Sequence, residues 1–398
     1  VSKKLVVICL LNFFIAALMG LTLRYFFIDT IPINYRFLTH AHSHVAMLGW
    51  VYLMLFTLIV HYFVPNNKRA VFNNLFWVTE IAVIGMMVSF PFQGYAAVSI
   101  SFSTLHILCS YYFVYLIWKH HQIKSTAIQY LLKTSLVFML LSTIGVWCLG
   151  PAVMTQGQGS VFYEIAIQFF LHFQFNGWFV IAVIALFFQQ LQIQNTKQFR
   201  LFFKLLIAST VLTFALPINW FVPQSFLLWI NGLGVLLQLA ALMVFLRLIK
   251  PKLSHVLLDN PKLTVYLYSF AIFCFVLKIL FQSLSIIPEV SKVAYQYHNF
   301  VIGFIHLTML GVVTGFLFSF IINKQFIKLN LWFHVGVYTF MVGFVLTELI
   351  LFIQGGMFYL RMGLLPSYYL ILFLLSILLP LGIGLILFNT IKHFNYAK

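Results

Sequence analysis

Histidine is the residue type whose placement in this chain could do chemistry. Thirteen occur, and His40, His42, His44, His61, His106, His172, His298 and His306 all fall within long apolar runs. A polar side chain at membrane depth is costly and is usually paired or functional. Imidazole is neutral at physiological pH and a good ligand for iron and copper. Other metal chemistries have less support. Cys9, Cys109, Cys148 and Cys274 stand singly in apolar runs. They lack the Cys-x-x-Cys spacing of a thiolate site and the Cys-x-x-Cys-His of covalently attached heme, and read as small apolar packers. Intramembrane carboxylates are few and thiolate clusters absent, so calcium, magnesium and iron–sulfur sites have little support. What fits is a histidine-held metal, or a non-covalent heme with one or two axial histidines per iron.

The surroundings of these histidines repeat. His44-Val-Ala-Met-Leu-Gly49-Trp50 matches His172-Phe-Gln-Phe-Asn-Gly177-Trp178, and His306-Leu-Thr-Met-Leu-Gly311 gives the same His-x4-Gly spacing, as does His298-Asn-Phe-Val-Ile-Gly303. At about 100° per residue, His42 and His44 point roughly 200° apart on a helix and serve partners on opposite sides. His40 and His44 differ by about 40° and share a face, so one of them supports the other. His298 and His306 lie about 12 Å apart along the axis and about 80° around it, and also serve different partners. His61 and His393 read as helix-end residues, and His120, His121 and His255 as loop residues. His106 and His334 are expected to hydrogen-bond neighbouring helices.

The elements that position these groups follow from composition. The chain has 398 residues, of which 63% are hydrophobic, 19% aromatic and 7% charged. A soluble domain carries about a quarter charged residues, so this is an all-α polytopic membrane protein. Disordered, collagen-like and disulfide-scaffold classes are excluded by the same figures. Apolar runs long enough to cross a bilayer number twelve, near 4–26, 38–64, 72–91, 95–117, 127–149, 162–190, 200–217, 226–247, 263–287, 295–322, 330–353 and 364–391. They make one transmembrane domain over 1–398, with three pseudo-repeated four-helix units expected from the histidine motifs. The run that opens the sequence is too long for a signal-peptide core.

A net charge of +17 reflects flanking basic residues and carries no expectation of nucleic acid. Alternation puts most Lys and Arg on one side, against Arg24, Arg36, Lys292 and Arg361 on the other; Lys133 and Lys278 lie within spans. The positive-inside rule then places both termini in the cytoplasm, with a bacterial-type inner membrane as the location. The outer arginines Arg24, Arg36 and Arg361 could pair with anionic propionates or extend to the interface. Glu80, Glu164, Glu348 and the two intramembrane lysines form no chain from the cytoplasm to the outer histidines, so proton pumping is not expected. Glu348 and Lys278 are expected to neutralise one another.

The stretch His42-Ser-His44-Val-Ala-Met-Leu-Gly49-Trp50 resembles the His-x-His…Leu-Gly-Trp segment of heme-copper oxidase catalytic subunits of the C-type and nitric-oxide-reductase branch. It is also similar to the His-Ala-His…Gly-Phe segment of the NnrS family of twelve-helix heme and copper proteins. Arg36-Phe-Leu-Thr-His40 resembles the Arg-x-x-x-His that leads into the second oxidase helix, and the tenth run looks like a late NnrS helix. The resemblance implies heme b, one or two per chain, with copper possible. It implies ligands among His42, His44, His298 and His306, with His40 and Arg36 in support and His172 as an axial or copper ligand.

The seventh run holds no histidine and Asn176 stands four residues after His172, so the copper site usual in that superfamily is incomplete. The implied activity is binding or reduction of a diatomic gas, nitric oxide or oxygen. It would be an oxidoreductase of nitric-oxide-reductase or terminal-oxidase type, fed electrons by a quinol or a cytochrome. A secondary transporter with a histidine-lined substrate or proton site is the alternative, and a cofactor-free structural subunit a third. Threefold repeats weigh against the transporter.

Overall fold

The computed structural model describes residues 3–395, with side chains of 254–259 and 393–395 outside the description. His255, His393 and Lys398 therefore lie outside the described residues or side chains. The chain is 86% helical, with no strand among the described residues. Among the described residues, twelve helices are long and apolar enough to cross a membrane. Spans 1 to 4 are Lys3–Tyr25, Tyr35–Phe63, Asn66–Gln93 and Ala97–His120; spans 5 to 8 are Thr126–Gln156, Val161–Gln190, Lys197–Phe221 and Ser225–Leu253; spans 9 to 12 are Lys262–Ile286, His298–Asn323, Leu331–Tyr359 and Tyr368–Lys392. All twelve expected runs are present. Several helices extend past the apolar run, because the polar ends of a helix can stand outside hydrocarbon.

Lipid offers no hydrogen bonds, so each segment satisfies its backbone internally and helix is the result. Starts are set by short polar side chains that accept from the first exposed N–H groups. Asn34 accepts from Phe37 N ahead of span 2, Ser160 from Tyr163 N ahead of span 6, and Asn330 from Phe333 N ahead of span 11. Between spans 3 and 4 the turn is made at Gly94, whose φ of 61° favours glycine. A Cβ there would also meet the Phe37 ring at 2.4 Å.

Enclosure differs sharply among the twelve. Spans 2, 6 and 10 have 83%, 78% and 61% of their apolar windows buried, while no other span exceeds 56%. The three helices bearing the repeated histidines are the three most enclosed.

The chain divides into two compact units. The first comprises residues up to Gln122 together with those from Leu317 onward. Its core is aromatic: Phe13 stacks on Trp50 at 4.5 Å between centroids, and Phe318 and Phe340 close around Phe13 at 6.3 and 5.9 Å. Spans 11 and 12 cross here with almost no side chain between them, since a Cβ on Gly382 would meet Phe340 N at 2.6 Å and Gly336 O at 2.7 Å. At the end of span 10, Lys324 holds its ammonium 4.4 Å from the Tyr62 ring centre. Burial there pushes its pKa below the usual lysine range.

The second unit is Ile123–Phe316. Phe187, Phe188, Phe202, Phe245 and Phe275 form its aromatic cluster. Spans 5 and 6 approach closely at Gly145, where a Cβ would lie 2.4 Å from Ala166 O.

Gly382→Leu is expected to force spans 11 and 12 apart. Overpacking of this kind costs about 1–3 kcal/mol, read as a lowered midpoint in a thermal melt of the detergent-solubilised protein. Gly150→Ala, with nothing within 4 Å of the added methyl, is the control expected to leave the midpoint in place.

Candidate functional site

The repeated histidines share a local structure as well as a sequence. Immediately after His44, His172 and His306 the helix widens from α to π geometry, over Val45–Tyr52, Phe173–Phe179 and Leu307–Thr314. Such wide turns are rare and frequently occur at functional sites. They loosen the regular backbone ladder, and in lipid the weakened carbonyls need other donors. Each segment has one. The Asn12 amide of span 1 donates to Gly49 O at 3.2 Å. The Asn176 amide donates to His172 O at 3.2 Å, and the Thr314 hydroxyl donates to Met309 O at 2.9 Å.

Within the first unit, His42 and His44 sit on opposite sides of span 2, as their spacing predicts. His42 turns toward span 1, with Nδ1 2.8 Å from Ala16 O. Its ring occupies the space that Gly20 leaves, 2.9 Å from where a Cβ would be. His44 turns the other way, against the rings of Phe90 and Tyr95. Its Nδ1 lies 2.8 Å from His40 O, and the Tyr95 hydroxyl stands 3.4 Å from its Nε2. His40 packs on the same two rings, so the shared face of His40 and His44 is also as expected.

A carbonyl only accepts, so each of these hydrogen bonds puts the proton on Nδ1. A neutral His42 or His44 then carries its lone pair on Nε2. Histidines that ligate metals are commonly oriented in this way, through a second-ring N–H held by a backbone carbonyl. The Nδ1 hydrogen bonds of His42 and His44 match that orientation.

In the second unit His172 is buried and its Nε2 lies 2.8 Å from Thr210 O. That nitrogen is the donor, and His172 could reach a metal only through Nδ1. Asn176, one turn on, accepts from Lys278 Nζ at 2.7 Å, and Gln282 Oε1 accepts from the same ammonium at 3.0 Å. Phe304 of span 10 places its ring 5.5 Å from Nζ. His306 is half-buried at the junction of helix and wide turn, and His298 is exposed as the first residue of span 10. Among the described residues no cluster of three or more His, Cys, Asp or Glu side chains could hold a metal ion.

Several sequence expectations are corrected by these contacts. Lys278 is held by two amides rather than by Glu348, because those acceptors lie one turn away on span 9 and on the neighbouring span 6. Glu348 belongs to the first unit, where Arg24 of span 1 is the cation that acts on it. His106 bonds along its own helix, where its Nδ1 is 3.5 Å from Ser110 Oγ, and its ring meets the edge of Tyr52. His334 likewise turns back to Asn330 O at 2.7 Å, a carbonyl of its own helix start. A helix brings groups four residues away onto one face, and these two rings use what is local: a hydroxyl one turn ahead for His106 and a carbonyl one turn back for His334. Arg36 and Arg361 are exposed, while Arg24 is half-buried.

Two groups escaped notice in the sequence. Asn12 also donates to Glu80 Oε2 at 2.8 Å, so one buried amide joins the wide turn of span 2 to a carboxyl on span 3. The second is the Lys278–Asn176–Gln282 cluster. The signal was present in each case as an isolated polar residue within an apolar run, without anything to say which residues would meet.

Comparison of the sequence with protein-family models and with curated proteins finds no match.

Asn12→Leu is expected to leave Gly49 O and Glu80 without their donor. Loss of a buried hydrogen-bond partner costs about 1–3 kcal/mol. A double-mutant cycle of Asn12→Leu with Glu80→Leu, followed by thermal melts, should give a double variant clearly less damaged than the sum of the singles. Additive effects would mean that the two side chains do not act as a pair.

Proposed function

We propose that the chain is a b-type heme-binding membrane protein that handles a diatomic gas, nitric oxide in preference to oxygen, in the manner of the heme-copper oxidase and NnrS proteins its motifs resemble. The observation that carries this reading is the pair His42 and His44. They project from opposite faces of span 2, each with Nδ1 tied to a carbonyl, which gives the neutral ring its lone pair on Nε2. A wide turn begins directly after them. Heme, when bound, supplies gas coordination and one-electron transfer.

The chain's own residues do the positioning. Ala16 O and Gly20 set the His42 ring, while His40 O, Phe90 and Tyr95 set the His44 ring. The Tyr95 hydroxyl points at His44 Nε2 and is the group that a ligated iron would displace. His298 and His306 are the further ligands in this proposal. His172, with Nε2 committed to Thr210, serves better as a structural tie than as an iron ligand. Copper, if held, takes a ligand set different from that of the oxidases. Electrons come from a quinol or a cytochrome. In this proposal both termini lie in the cytoplasm, the side on which basic residues gather under the positive-inside rule, and the membrane is a bacterial-type inner membrane.

The purified protein is expected to show a Soret band and, after dithionite, the α and β bands of low-spin heme. Nitric oxide should shift the spectrum. His42→Ala and His44→Ala should each lower the bound heme, while His334→Ala leaves it unchanged. A colourless preparation that remains colourless after expression with added hemin would overturn the reading and favour the histidine-lined transporter. Topology has a separate check: fluorescent-protein fusions at both termini should be bright and alkaline-phosphatase fusions inactive.

A further inference from the structure

The first unit contains a polar line that the heme reading does not use. A cavity of about 280 Å³ is lined by Leu5 of span 1, Phe56, Thr57 and Val60 of span 2, and Ala70 and Asn73 of span 3, among others. Arg69 and the exposed Ala70 stand at its mouth, at the end of spans 1 and 3 that carries Lys3, Lys4 and Lys68. A space of that size with polar partners has room for several waters.

Its inner wall holds an orphaned group. Thr57 is fully buried, yet its hydroxyl has no hydrogen-bond partner. Most buried Ser and Thr in this fold return their hydroxyl to a carbonyl three or four residues back, as Thr79 does to Leu75 O and Thr347 to Gly343 O. Thr57 does not. It faces the cavity and the Cys9 thiol. A buried hydroxyl left in that state costs free energy unless water reaches it.

The same helix faces lead inward from the cavity to Glu80. On span 1, Leu5, Cys9 and Asn12 recur at the spacing of one helix face. On span 3, Asn73 and Glu80 are seven residues apart, two turns or about 10 Å along one face. Cys9 lies between on span 1, near enough to Glu80 to feel its charge and facing Thr57. Glu80 itself is buried, and its hydrogen-bond partner is the neutral Asn12 amide. Among the described residues no cation pairs with it. A carboxyl so placed in a membrane span is costly as an unpaired charge and points to function.

We propose that Glu80 is a proton-binding site, supplied from the Lys- and Arg-rich end of the unit by water in this cavity, with Thr57 and Cys9 at the inner end of the path. The exchange is a simple transfer: hydronium in the cavity gives its proton to the Glu80 carboxylate, leaving water and a carboxylic acid. The neutral acid keeps Oε2 as acceptor from Asn12, whose other amide proton stays on Gly49 O. The titratable neighbour on span 1 is Cys9, and Arg69 is the charged group at the mouth. The path is invisible to a search for acidic and basic residues, because a hydroxyl, a thiol and water compose it.

Two measurements on the full-length protein in membranes test this, and neither depends on heme. Dicyclohexylcarbodiimide, which attacks protonated carboxyls in apolar surroundings, is expected to label Glu80, with the adduct located by peptide mass spectrometry and lost in Glu80→Gln. Infrared difference spectra should show a carboxylic C=O band that vanishes in Glu80→Gln and shifts in D2O. The rate of that shift should fall several-fold in Ala70→Trp, which plugs the mouth at an exposed position, and in the near-isosteric Thr57→Val. Absence of both label and band would overturn the site. A band whose exchange rate is the same in Ala70→Trp and Thr57→Val would overturn the cavity as its supply.

Discussion

Backbone hydrogen bonding in a medium without water governs this molecule. Twelve helices follow from it directly, since each closes its own N–H and C=O groups. The three places where the helix widens are the informative exceptions. At each, a side-chain donor meets a carbonyl of the wide segment or of the histidine just ahead of it: Asn12 at Gly49, Asn176 at His172 and Thr314 at Met309. The two asparagine side chains also reach a second polar group. Glu80 is held through Asn12, and Lys278 is held through Asn176.

Histidine stands directly ahead of each wide turn, with the dihedral angles of an ordinary helical residue. His42 and His44 show how such side chains are then locked, each by a carbonyl on Nδ1. One of those carbonyls belongs to span 1 and the other to span 2 itself. The first depends on Gly20 being small enough for the ring to lie flat against span 1. Enclosure follows the same residues, because spans 2, 6 and 10 are the most buried of the twelve.

Polar groups at membrane depth divide by what they find as partners. His106 and His334 find a partner for Nδ1 on their own helices. Lys278 finds two amides, so its charge is solvated by neutral groups without a carboxylate. Thr57 finds water-sized space. A buried charge is tolerated only when its hydrogen bonds are met, and amides meet them as well as an opposite charge does.

The sequence by itself determined the number of spans, the repeat at His44, His172 and His306, and the opposed faces of His42 and His44. Each of these is a local property. Span length follows from the apolar run, and side-chain direction follows from 100° per residue. Tertiary structure decided the partners. Nothing local says that Lys278 meets Asn176, 102 residues away, or that Asn12 bridges Glu80 and Gly49 across three spans. It also decided the local widening after each histidine. A His-x4-Gly spacing is compatible with an ordinary α-helix, and the wider turn persists where a donor stands beside it. Periodicity is a property of one helix, whereas a hydrogen bond between spans depends on which faces pack together, and only the folded chain sets that.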